Sequence, residues 1–272
     1  MSAGEDKANE CVPFARELRG APIARFFYDG QTGSTVVRDF ADEPVDFEIG
    51  TDNSEWVEVN SNRGLFQAVR AAGGGAFRRF TGDEASSSKY SALDETSTMA
   101  LEMVVDVDNT ELNGAGTVLF GFSAPLQSGL SFGTFQERIR LTSGQTGQSL
   151  INAEWPLGPL RDADRAVVHV VMNYNTDLAI ENRYIFYINC VRVERIDQML
   201  FDIPLVVVAK DDYTISLGNY DPYDAFEPTT DPQSSIEGTI YYAAIYNGLT
   251  TSVMDHNCDV LGQSDSAPDL GE

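Results

Sequence analysis

The residues best equipped for chemistry in this chain are carboxylates and aromatic rings. Asp106, Asp108 and Glu111 fall together in the run DVDNTE, and paired carboxylates on one strand are what glycoside hydrolysis uses as nucleophile and acid. Asn109 to Gly116 reads as a turn, however, so these side chains do not line a groove. A second concentration is the segment YDPYDAFEPTTDPQSSIEG, where Tyr220, Tyr223 and Phe226 alternate with Asp221, Asp224, Glu227 and Asp231. Aromatic faces stack on sugar rings or anchor protein partners, and the carboxylates accept hydroxyl hydrogen bonds. Pro222, Pro228 and Pro232 reduce the freedom lost on binding. The candidate ligand-binding set is therefore Tyr220, Asp221, Tyr223, Asp224 and Phe226; the competing reading packs these rings onto the rim of a sheet. Cys11, Cys190 and Cys258 make an odd count and His169 and His256 are the only histidines, so neither a disulfide framework nor a Cys/His zinc site is indicated. His169 stands among valines and reads as a packed strand histidine. Gly73-Gly74-Gly75 lacks the Lys-Ser/Thr that follows a phosphate-binding loop and reads as a tight connection.

The elements that must position these residues are strands. RAVVHVVMNYN and YIFYINCVRVERI, between Arg165 and Ile196, put Val168, Val170, Met172 and Tyr174 on one face and Tyr184, Phe186 and Ile188 on one face of the next run. Asn189-Cys190 falls where a two-residue hairpin turn belongs. MALEMVVDV alternates cleanly, with Met99, Leu101, Met103, Val105 and Val107 inward and Glu102 and Asp106 outward. Further strands read over Gly64–Val69, Thr117–Ser123, Gly129–Phe135, Arg138–Thr142, Leu205–Ala209, Tyr213–Asn219 and Thr239–Tyr246. Ile151–Pro159 reads as an extended connection carrying Trp155, and Thr81–Thr98, rich in Ser and Asp, as a surface loop. Ser252 and Asp255 have the spacing of a capping box for a short C-terminal helix. The pattern predicts an all-β protein, an antiparallel two-sheet jelly-roll sandwich. Its divisions are an arm or short helix over 1–20, the sandwich over 21–258 and a polar tail over 259–272.

The chain has 272 residues and a formal net charge of −24. That charge argues against nucleic acid and anionic membrane as partners, since both would be repelled. No apolar run approaches the ~20 residues that cross a bilayer. MSAGEDKANE, at the start, is not a secretory signal.

Several of these motifs resemble a known family. HVVMNYN followed by YIFYINCV is similar to the strand-and-hairpin signature of laminin-G-like domains in the concanavalin A-like lectin/glucanase superfamily, with His169, Val170, Tyr174, Tyr187, Asn189 and Val191 in place. Cys190 stands where that family usually has Gly. ARFFYDGQTGSTVVRD, TVLFGFS, YTISLGN and the closing Gly238, Ile240, Ile245 and Tyr246 extend the resemblance over residues 21 to 258. It implies an extracellular or cell-surface binding module for a glycan or a protein partner. It also implies a rim calcium site at Asp39, Asp42 and Asp46, and neighbouring first and last strands that would let Cys11 bridge Cys258. Enzymes share this fold, so a glycan-cleaving hydrolase or lyase is the alternative, with a structural subunit of a surface assembly as a third reading. Retaining glucanases of the superfamily carry Glu-x-Asp-x-x-Glu, and DVDNTE has Asp at the nucleophile position. The lyases need an Arg with Gln, His and Tyr; Gln136-Glu137-Arg138-Ile139-Arg140 is not accompanied by a Gln-x-His strand. ECVPFAREL, around Cys11, resembles the nucleophile segment of CHAP amidohydrolases, but nothing after Gly20 continues that likeness.

Overall fold

The computed structural model describes residues 18–28, 33–50, 54–59, 62–67, 75–93, 98–107, 116–124, 128–135, 137–145, 148–173, 177–179, 182–196, 212–218 and 238–262. In chain order the strands are β1 (Ala24–Phe27), β2 (Val36–Val37), β3 (Phe47–Ile49), β4 (Ser54–Val59), β5 (Asn62–Gln67), β6 (Ala76–Phe80), β7 (Thr98–Val107) and β8 (Gly116–Ala124). They continue as β9 (Ser128–Phe135), β10 (Arg138–Gln145), β11 (Gln148–Pro156), β12 (Ala166–Asn173), β13 (Tyr184–Ile188), β14 (Val191–Val193), β15 (Tyr213–Leu217) and β16 (Gly238–Tyr246).

They form two antiparallel sheets of 8 strands each. The first, sheet A, runs β14-β13-β12-β7-β16-β5-β4, and β1 pairs with the free length of β16 that β5 leaves. The second, sheet B, runs β11-β10-β9-β8-β15-β6-β3-β2. This is a jelly-roll sandwich. Its long-range pairings, β7 with β16 and β1 with β16, close the fold across the full chain.

The inward-facing residues of the two sheets meet in one core of aliphatic and aromatic side chains. Period-two alternation puts Leu101, Met103, Val105, Val168, Val170, Ala243 and Ile245 there from sheet A, where they meet Phe120, Phe122, Phe132, Ile139, Leu141 and Ile215 from sheet B. Rings link the two sheets, with Trp155 and Phe132 lying 5.3 and 5.6 Å from Phe186, and within sheet B Phe80 stacks on its cross-strand neighbour Tyr213 at 4.8 Å. Trp155 belongs to β11, so the extended connection expected there is a strand of sheet B. Gly238 is required where β16 starts: its φ is +145°, and a Cβ would come within 2.1 Å of the Asp106 carbonyl oxygen.

The segment read as a surface loop is folded. Gly82–Ser87 is helical and Lys89–Leu93 is a 3-10 turn. Its Ser- and Asp-rich composition concealed three buried apolar residues, Ala85, Tyr90 and Leu93, which join the core. At the C-terminus a helix runs from Thr251 to Gly262. Ser252 lies inside its first turn, so it is not the capping residue.

Candidate functional site

The helix Thr251–Gly262 covers the outer face of sheet A, the face turned away from sheet B. Met254, Asn257, Cys258 and Leu261 recur at helical spacing and are its buried residues. The surface beneath comes from three central strands and β1. The register places His169 of β12 opposite Glu102 of β7, Glu102 opposite Ala244 of β16, and Ala244 opposite Arg25 of β1. Ala244 is small, so Tyr242 and Tyr246, two positions to either side of it, reach the Glu102 carboxylate.

That carboxylate is completely buried. Its Oε1 accepts hydrogen bonds from the Tyr242 hydroxyl at 2.8 Å, the Tyr246 hydroxyl at 2.9 Å and Asn257 Nδ2 at 3.3 Å. Its Oε2 takes His169 Nε2 at 2.9 Å and Asn257 Nδ2 at 3.0 Å. An ionised carboxylate only accepts, so His169 Nε2 carries a proton and donates; the buried Nδ1 has no hydrogen-bond partner among the described residues. Arg25 Nη2 donates to the Tyr246 hydroxyl at 3.4 Å. Burial pushes the Glu102 carboxyl up, but hydrogen bonds and charge from His169, then bonds from Tyr242 and Asn257, outweigh it and leave the group below its ordinary value of 4.5. The Tyr242 and Tyr246 phenols are pushed up, first by burial and then by the charge on Glu102.

Asn257 also fastens the N-terminal segment. Its Oδ1 accepts from the Arg19 amide at 2.7 Å, and its Nδ2 donates to the Arg19 carbonyl at 3.1 Å. Gly20 turns with φ +85° so that the chain passes between Tyr246 and Val253, 3.2 Å from where a Cβ would stand. At the other end of the helix, Arg165 Nη1 donates to the Leu261 carbonyl at 2.8 Å.

The disulfide corrects the expected pairing. Cys258 is bonded to Cys190, with 5.7 Å between the Cα atoms, and not to Cys11; Cys11 lies outside the described residues. The premise was sound, since β1 and β16 are neighbours. The helix after β16 doubles back over β12, however, and brings Cys258 to the β13–β14 turn. That turn is the two-residue hairpin expected at Asn189-Cys190, with φ of +48° and +64°. Asn189 holds it against β12, its Oδ1 accepting from the Val167 amide and its own amide donating to the Val167 carbonyl, both at 2.8 Å. Cys190 therefore stands in a conformation that favours glycine, because the bridge needs a sulfur there.

At the aspartate cluster, where the resemblance implied calcium, the carboxylates take donors from the chain itself. Asp39 is buried; its Oδ1 accepts from the amides of Arg25 at 3.0 Å and Ala41 at 2.9 Å, and its Oδ2 from Val45 at 3.1 Å. Lys89 Nζ forms an ion pair with Oδ2 and also reaches the Asp42 carbonyl at 3.5 Å. Asp46 Oδ1 caps the Asp39 amide at 3.0 Å. The loop is organised around the Lys89 ammonium. Among the described residues no group of three or more His, Cys, Asp or Glu converges as a metal site.

Arg138 and Arg140 both pair with the buried Glu154, and Arg161 with Glu137 at 2.8 Å. Asp106 is half-buried at the end of β7. Asp108, Glu111 and the ligand-binding candidates Tyr220, Asp221, Tyr223, Asp224 and Phe226 lie outside the described residues.

No protein-family model matches the chain, and no curated protein sequence does. Solved structures do share its fold. A Trypanosoma rangeli sialidase bound to 2,3-difluorosialic acid aligns over 89% of this chain and 33% of its own, at TM-score 0.53 and 15% identity. A botulinum neurotoxin serotype D/C binding domain aligns over 89% of this chain and 52% of its own, at TM-score 0.58 and 11% identity. A structure described as a receptor binding domain aligns over 92% and 53%, at TM-score 0.58 and 11% identity. The chain thus spans a third to about half the length of these matches, and at such identities the likeness is one of fold.

Proposed function

We propose that this chain is a non-catalytic binding module of laminin-G-like type, taking a glycan or an extracellular protein partner through Tyr220, Asp221, Tyr223, Asp224 and Phe226. The observation that carries the reading is the state of Glu102 and His169. Together they have the composition of a general acid–base pair, yet both are completely buried and the carboxylate is saturated with donors from its own chain. Such a pair holds structure and has no open position for a reacting atom. The fold relatives include two described as binding domains and a sialidase, so glycan binding and glycan cleavage both occur on this fold. The compartment we infer is extracellular or cell-surface, because a structural disulfide persists where the surroundings are oxidising.

The test combines a glycan array and a panel of purified extracellular proteins with a reducing-sugar and unsaturated-product assay on every glycan bound. The intact chain is expected to bind without releasing product. The Tyr220→Ala/Tyr223→Ala double variant should keep its Tm and lose binding. Product release would replace the module with an enzyme. A collapse in Tm with binding retained per folded molecule would show that the rings are packing.

A further inference from the structure

The contacts that hold the helix Thr251–Gly262 on sheet A differ in kind. Met254, Cys258 and Leu261 bury apolar surface, with Cys258 and Leu261 in a small cluster alongside Leu18, Ala100, Val104 and Val167. Asn257 and the Arg165 cap supply hydrogen bonds. The link to Cys190 is covalent.

The groups under the helix can all be solvated: a carboxylate, an imidazole, two phenols and a guanidinium. Each exchanges a protein partner for water if the cover lifts, so opening strands few polar atoms. A helix of this length is marginal alone in water, and one that leaves the sheet unwinds. The bridge therefore adds a covalent hold to contacts that water can replace. Its two sulfurs are unequally placed, because Cys190 is exposed at the tip of a turn and Cys258 is buried.

We propose that the Cys190–Cys258 bridge is a latch, whose reduction by a dithiol frees the C-terminal helix and uncovers the Glu102–His169 surface while the two sheets stay packed. A thiolate of the dithiol attacks Cys190 Sγ, and Cys258 leaves as a thiolate and takes up a proton. The second thiol of the reagent then displaces Cys190, so two electrons pass to the protein and the dithiol departs as a cyclic disulfide.

Hydrogen exchange read by mass spectrometry on the full chain tests this, comparing the oxidised protein with the same protein in dithiothreitol and with the Cys190→Ser/Cys258→Ser double variant. Amides of 251–262 are expected to exchange at least about tenfold faster in both bridge-free samples, and those of β9 and β10 to keep their rates. Unchanged protection of the helix would overturn the proposal, since the bridge would then latch nothing. Loss of protection in β9 and β10 along with the helix would overturn it equally, by making the bridge a staple of the whole domain.

Discussion

Val168, Val170 and Met172 leave β12 toward sheet B, and Val167 and His169 leave the same strand toward the C-terminal helix. Both sets are buried. The first set meets a wholly apolar layer of aromatic and aliphatic side chains. The second meets a mixed layer, in which a short apolar cluster surrounds a carboxylate and its hydrogen-bond donors. Apolar burial is non-directional and tolerates adjustment, whereas the Glu102 cluster works only if every donor is present. One face of the sheet thus provides stability, and the other fixes where the two ends of the chain lie.

The largest test of this contrast is Phe186→Ala. It removes a fully buried ring that touches both Trp155 and Phe132, and should cost about 3–5 kcal/mol in global stability by denaturant titration. The helix and the sheets should then unfold in one transition.

Glu102→Gln should act locally and more weakly. The amide nitrogen of Gln would face groups that are themselves donors, at a cost of about 1–3 kcal/mol. Hydrogen exchange in dithiothreitol should show the helix 251–262 opening further than in the native chain, with β9 and β10 still protected; a uniform loss over both sheets would erase the distinction between the two faces.

Acid sharpens the comparison further. The folded-state pKa of Glu102 lies below its ordinary value, so its contribution is complete above about pH 4.5 and fades as pH falls through the folded value. The stability difference between the native chain and Glu102→Gln should therefore shrink below that pH, with the inter-sheet core unaffected. At the alkaline end Tyr242 and Tyr246 are raised. Their contribution is intact below about pH 10 and is lost above it as the unfolded chain ionises first.

The smallest expected effect is that of a chelator. Lys89 already neutralises Asp39, so removing divalent cations should leave the Tm unchanged. A fall in Tm would reinstate a metal at Asp39, Asp42 and Asp46.

Much of the sandwich was legible because strand alternation is a local signal. MALEMVVDV and the meander from Arg165 to Ile196 gave their faces directly, as did the Asn189-Cys190 turn. Glu102 shows where that signal stops. Its outward orientation was correct, but outward from one core is inward to another once a helix lies across the sheet. Seeing that Glu102, His169 and Tyr242 share a surface required the strand order β12-β7-β16, which no alternation encodes. The available hint was a set of polar or aromatic residues on the outer positions of otherwise apolar strands: His169 among valines, Glu102 among Met, Leu and Val, and two tyrosines four apart in β16. Thr81–Thr98 failed differently, because its buried residues are spaced too irregularly among Ser and Asp to form a period. The cysteine pairing depended on the direction the chain takes after its last strand, a tertiary fact.

The clasp between Arg19 and Asn257 has a mechanical consequence. Because the first described turn and the last helix are fastened side by side, a pull applied to the two ends of the molecule would load that clasp before it loaded either sheet. The helix would peel from its C-terminal end, but only as far as Cys258, where the bridge arrests it. Further tension would pass through Cys190 into the β13–β14 hairpin at the margin of sheet A. That covalent stop stands four residues from the end of the helix, and beyond it the load crosses β12, β7 and β16 to reach β1.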